Sequence, residues 1–76
     1  MAELLEWIAQ RLVDEPDAVR VETEEREDAV VFHLFVAPDD VGKVIGRQGR
    51  LARALRSLVR AAGARADRRY LLEIAG

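Results

Sequence analysis

The sequence predicts an α+β domain in the order helix, strand, strand, helix, helix, strand, with a three-stranded mixed sheet and its helices packed on one face. Three observations predict it. Apolar residues near the start recur at helical spacing. Residues 29–37 form a β-branched and aromatic run that stops at Pro38. A second amphipathic stretch, at about 50–62, lies between a glycine-bounded tetrapeptide and a last short apolar segment.

The first helix is expected over about residues 2–14. Leu4, Leu5, Ile8 and Leu12 share a helical spacing, and Glu3 and Glu6 in the first turn suit the helix dipole. Asp14-Glu15-Pro16-Asp17 ends it, because proline cannot continue the hydrogen-bond ladder and restricts the residue before it. Val19, Val21 and Thr23 then alternate with Arg20, Glu22 and Glu24, the period of a half-buried strand. Residues 25–28 are the polar turn of a hairpin, and residues 29–37, apolar on nearly both faces, are the expected central strand. Val30, Phe32, Leu34 and Val36 are expected to face the helices, and Val31, His33 and Phe35 to face away, with Leu71 beside them. Trp7, Phe32 and Tyr70 are expected in the core. Pro38-Asp39-Asp40 starts a short helix at about 39–45, with either aspartate able to cap it. The next helix, about 50–62, is expected to end at Gly63 in a left-handed cap. The last strand is expected at about 69–74. A helical crossover makes strands two and three parallel if they are neighbours in the sheet.

At 76 residues the chain, 1–76, is one small domain. It has no cysteine, so neither a disulfide framework nor a thiolate metal site is available. The acidic start lacks the basic region and apolar run of a signal peptide, and no apolar stretch reaches membrane-spanning length. No membrane contact is expected, and the cytoplasm is the default location. One serine, one threonine, one histidine and no cysteine leave few nucleophile and base pairs to arrange, which argues against an enzyme; no cofactor is implied. The net charge of -2 hides a division. Residues 1–40 carry 12 acidic and 3 basic side chains, net -9, and residues 41–76 carry 2 acidic and 9 basic, net +7. Such asymmetry fits contact with a polyanion and fits a plain solvated surface.

The motif that carries chemistry is Gly46-Arg47-Gln48-Gly49. A bare G-x-x-G arises by chance about one time in three in a chain of this length, so its setting between two helices supplies the weight. Glycines at both ends let a sugar-phosphate backbone approach the main chain, and the helix entered near Arg50 offers free amides and a dipole that favours an anion. Lys43, Arg47, Gln48 and Arg50 add charge and donors. Val41, Val44 and Ile45 are either an aliphatic floor for bases or core packing. Arg53, Arg56 and Arg60 share one side of the second long helix, as an extension of the binding surface or as a solvated face; Arg53, one turn in, is the nearest to the loop. Arg65, Arg68 and Arg69 precede the last strand and are further candidates.

The run Gly42-Lys43-Val44-Ile45-Gly46-Arg47-Gln48-Gly49-Arg50 resembles the KH-domain signature, whose loop clamps about four nucleotides of RNA. With a helix and strand placed before the minimal unit, about 29–75, the layout is similar to a type II KH domain. Length, the Val-Asp-Glu-Pro-Asp stretch and the block from Val36 to Arg50 resemble the small bacterial KhpA family. That resemblance implies single-stranded RNA binding of low sequence specificity, a role as RNA chaperone or post-transcriptional regulator linked to the cell envelope and cell shape, and a homodimer or a heteromer with a larger KH-containing partner. The implied RNA-binding residues are Lys43, Val44, Ile45, Gly46, Arg47, Gln48, Gly49, Arg50 and Arg53. The alternative is a protein-interaction or dimerisation module with incidental RNA binding, using the outward apolar residues of the sheet, Phe35 among them.

Overall fold

A computed structural model describes residues Met1 to Gly76. Helix α1 spans Ala2–Leu12 and buries Leu5 and Ala9. It stops two residues earlier than its spacing predicts, because Val13 is already extended and leads into a 3-10 turn that opens with Pro16. Strand β1 (Arg20–Glu25) and strand β2 (Val30–Phe35) pair antiparallel, with Glu22 opposite His33. Strand β3 (Tyr70–Ala75) pairs with β2 in parallel, with Phe32 beside Leu72. The sheet order is β1-β2-β3, so the apolar run is the central strand. Helices α2 (Val41–Ile45) and α3 (Arg50–Arg65) form the crossover.

The inner face of β2 supplies Val30, Phe32 and Leu34, and Val36 follows. They meet Leu5 and Ala9 of α1, Val44 of α2, Leu55 and Val59 of α3, and Leu72 of β3 in one core. The Phe32 and Tyr70 rings meet edge to face at 5.1 Å, a favourable aromatic geometry. Strand β1 is more exposed than its alternation predicts. Val19 is buried but precedes the strand, Val21 is half-buried, and Thr23 is exposed. An edge strand rich in charges resists pairing with other chains.

Three expectations need correction. Trp7 is not in the core: it is 57% exposed, with the Arg11 guanidinium 5.2 Å from its ring. Helix α3 runs past Gly63 to Arg65, and Gly63 is helical and buried. A Cβ there would lie 2.7 Å from the Arg68 carbonyl oxygen and 2.9 Å from the Tyr70 side chain, so the glycine is needed for close helix–strand packing. The left-handed residue is Asp67 (φ 55°), and the Arg68 N–H to Gly63 O and Asp67 N–H to Ala64 O bonds complete a Schellman cap. Neither aspartate caps α2. Asp40 instead is buried, and its Oδ2 accepts the Glu15 N–H at 3.1 Å, tying the exit of α1 to the entrance of α2.

The outer sheet face is less open than the apolar pattern predicts. Val31 is buried between Glu24 and Leu71 in register, and Phe35 is half-buried with the Arg20 guanidinium 4.1 Å from its ring. His33 is an ordinary strand residue whose Nε2 lies 2.7 Å from Glu24 Oε1. No helix is long and apolar enough to cross a membrane.

Candidate nucleic-acid interface

The loop between α2 and α3 is shaped by three left-handed backbone positions. Helix α2 ends where the Gly46 N–H reaches Gly42 O at 3.0 Å, and Gly46 itself has φ 77° and ψ 175°. A 3-10 turn over Arg47–Gly49 follows, with Gln48 (φ 57°) and Gly49 (φ 73°) both left-handed. The two glycines do different work. A Cβ at 46 would lie 2.7 Å from Leu51 Cβ, so Gly46 lets the loop close against α3. A Cβ at 49 would meet only Arg53 Nη1, at 3.9 Å, so Gly49 is required for its backbone angle and leaves open space above it. Gln48, a non-glycine residue in the left-handed region, carries strain, and its Oε1 accepts from Arg50 Nη2 at 3.3 Å.

No side chain caps the start of α3. Its entrance is less empty than the sequence implies, since the Gly49 and Arg50 amides already reach Gly46 O and Arg47 O. The 16-residue helix still brings its positive dipole end to the loop. Of the aliphatic trio, Val44 is fully buried and serves the core, whereas Val41 and Ile45 are half-buried and keep some surface. Lys43, Arg47, Gln48, Arg50 and Arg53 are exposed.

Arg47, Arg50, Arg53, Arg56 and Arg60 pair with no carboxylate, while Arg20, Arg26 and Arg68 do. Arg53 reaches back over Gly49, and Arg56 and Arg60 continue the same helix side into a pocket of about 200 Å³ between α3 and the free edge of β3. Tyr70, Leu71, Leu72 and Glu73 complete the pocket. The cationic stripe thus runs from loop to pocket, which places Arg56 and Arg60 on a concave surface. Sequence reasoning left those two open because helical phase shows that they share a side but not which strand that side faces. Tyr70 and Leu71 were assigned elsewhere for the same reason. Arg65 falls within α3, and Arg68 is held by Glu25 at 3.0 Å.

A family description, KhpA/KhpB, KH domain, matches residues 2–74. Proteins named "RNA-binding protein KhpA" are similar along nearly the whole chain. The protein of Caldanaerobacter subterraneus is 49% identical over 97% of this chain and 99% of its own length. That of Halalkalibacterium halodurans is 51% identical over 97% of each. That of Aquifex aeolicus is 47% identical over 97% of this chain and 94% of its own. These relatives are named for binding rather than for a reaction, in line with the reading of the chain as a non-enzyme. No solved structure matches the chain significantly. The order of elements, the parallel β2–β3 pair, the glycine loop at the head of α3 and the match over residues 2–74 agree, and the chain belongs to the KhpA/KhpB family of KH domains.

Proposed function

We propose that the chain binds single-stranded RNA, with the Gly46–Gly49 loop holding the sugar-phosphate backbone and the α3–β3 pocket receiving bases. The observation that carries this reading is the row of five guanidinium groups, from Arg47 to Arg60, that no carboxylate neutralises and that leads from the loop to the pocket. Unpaired guanidinium groups beside an open glycine backbone suit phosphate, and the apolar pocket wall of Leu71 and Leu72 with the Tyr70 ring suits a base. The binding set is Ile45, Gly46, Arg47, Gln48, Gly49, Arg50 and Arg53, extended to Arg56 and Arg60; Lys43 flanks it but is paired with Asp14, and Val44 supports it from the core. A loop that grips about four nucleotides through their backbone reads little sequence. That behaviour suits an RNA chaperone or post-transcriptional regulator working in the cytoplasm.

The test replaces Arg47 and Gln48 together with aspartate. Affinity for a single-stranded RNA, measured by fluorescence anisotropy at fixed salt, is expected to fall beyond detection while the far-UV circular dichroism stays native. Unchanged affinity would reject the loop-centred mechanism.

A second reading concerns self-association, which would give a weak single site useful avidity. With Phe35 covered by Arg20, the favoured surface moves from the outer sheet face to the helical side, where Leu4, Trp7 and Leu58 are exposed. The occupant proposed for it is a second copy of this chain or a larger KH-containing protein.

A further inference from the structure

Lys43 is the exception among the cations around the loop. Its Nζ lies 3.4 Å from Asp14 Oδ2 and 3.9 Å from Asp40 Oδ1, whereas Arg47, Arg50 and Arg53 have no carboxylate partner. The two aspartates differ in standing. Asp40 is 2% exposed and fixed by the Glu15 amide, so its side chain is part of the fold. The Asp14 side chain is 77% exposed and makes no hydrogen bond, so the fold does not depend on it. Glu15, Asp17 and Asp39 lie in the same two turns. The acidic first half of the chain thus reaches the loop at one place, on its α2 side, and there meets the only lysine.

We propose that Asp14 restrains RNA binding: it holds Lys43 away from phosphate and, with Asp39 and Asp40, ends the nucleic acid's path on the α2 side, so that the strand leaves the loop only along α3. This rests on the RNA-binding reading above. Phosphates near Asp14 would face several carboxylates against a single lysine, while phosphates along α3 meet a row of arginines that no carboxylate pairs. The footprint is therefore short by electrostatics and not by the length of the protein.

The experiment compares Asp14→Asn with the wild-type chain, using a single-stranded oligouridylate long enough to overrun the loop on both sides. An exposed ion pair is weak, so releasing Lys43 is expected to tighten binding by up to about fivefold at low salt. One more phosphate contact is expected to steepen the slope of log K against log salt by about 0.7. Adding Lys43→Gln to Asp14→Asn is expected to cancel both gains, and the melting temperature of Asp14→Asn is expected to match that of the wild type. Unchanged affinity and slope in Asp14→Asn overturn the proposal. So does a gain that survives Lys43→Gln, since the double variant has the wild-type net charge and no lysine left to free, so the gain could not come from Lys43. The Arg47→Asp/Gln48→Asp variant is measured alongside. If it loses binding while Asp14→Asn changes nothing, the restraint alone has failed; if it keeps binding, the loop-centred reading has failed beneath it.

Discussion

Two glycines three positions apart in one motif have different physical reasons to be there, and substitution separates them. Gly46→Ala places a Cβ 2.7 Å from Leu51 Cβ at a positive φ, so both a clash and backbone strain oppose it. A loss of about 2–4 kcal/mol in chemical denaturation is expected. Gly49→Ala meets open space and carries only the cost of its φ of 73°, about 1 kcal/mol. The same change would nonetheless put a methyl group where the phosphate backbone is proposed to lie. Gly46→Ala is therefore expected to act chiefly on stability and Gly49→Ala chiefly on RNA affinity; equal losses of stability in the two variants would refute the distinction. The G-x-x-G spacing was visible in the sequence, but the division of labour was not, because it depends on where Leu51 sits in space.

At the level of the elements, periodicity and proline located all six helices and strands. What the pattern missed were features decided by a neighbour. Gly63 looked like a helix stop because glycine often is one, yet Tyr70 packs so close that only glycine fits inside the helix there, and Asp67 takes the left-handed turn. Trp7 looked like core because it is large and apolar, but its position on α1 turns it outward. Of the candidate site, the loop was legible in the sequence; the setting of Arg56 and Arg60 against the free edge of β3 was not. The β1–β2 hairpin makes a prediction of its own. Hydrogen bonds from Arg26 and His33 hold the Glu24 carboxyl down, from 4.5 to about 2. A carboxylate with a lowered native pKa stabilises the fold fully above its unfolded value, and that contribution is lost as pH falls from about 4.5 to about 2. An NMR titration of Glu24 is expected to show the low midpoint, and Arg26→Ala is expected to move it up toward 4.5. A midpoint that Arg26→Ala leaves in place would remove the hairpin network as its cause. Both partners are exposed, so the effect on total stability is small.

For the whole molecule, the net charge of -2 is the least informative number in the composition. The charges of the two halves pair only where Lys43 meets Asp14 and Asp40 and where Arg68 meets Glu25; elsewhere carboxylates occupy α1 and the hairpin, while α3 carries only arginines among its charged residues. On the proposed reading, one such surface grips about four nucleotides and binds weakly, and a second copy raises the effective concentration of the next contact. The full chain is expected to sediment as a dimer at micromolar concentration and to bind an RNA of roughly 12 nucleotides much more tightly than one of roughly 4. Replacing Trp7 and Leu58 with glutamate is expected to give a folded monomer that loses most of that difference. A wild-type monomer with the same length dependence would exclude self-association as its source. The Asp40–Glu15 bond bears on how this molecule assembles. It joins residues 25 apart in the chain and so closes a loop that contains the entire hairpin. Ring closure over that length is entropically costly while the chain is open, and far less so once β1 and β2 have folded back and brought the two ends together. Closure entropy thus favours forming the hairpin before the clasp, and the clasp before α2 is seated. By the same argument the Gly46–Gly49 loop, suspended from α2, is expected to take its shape late.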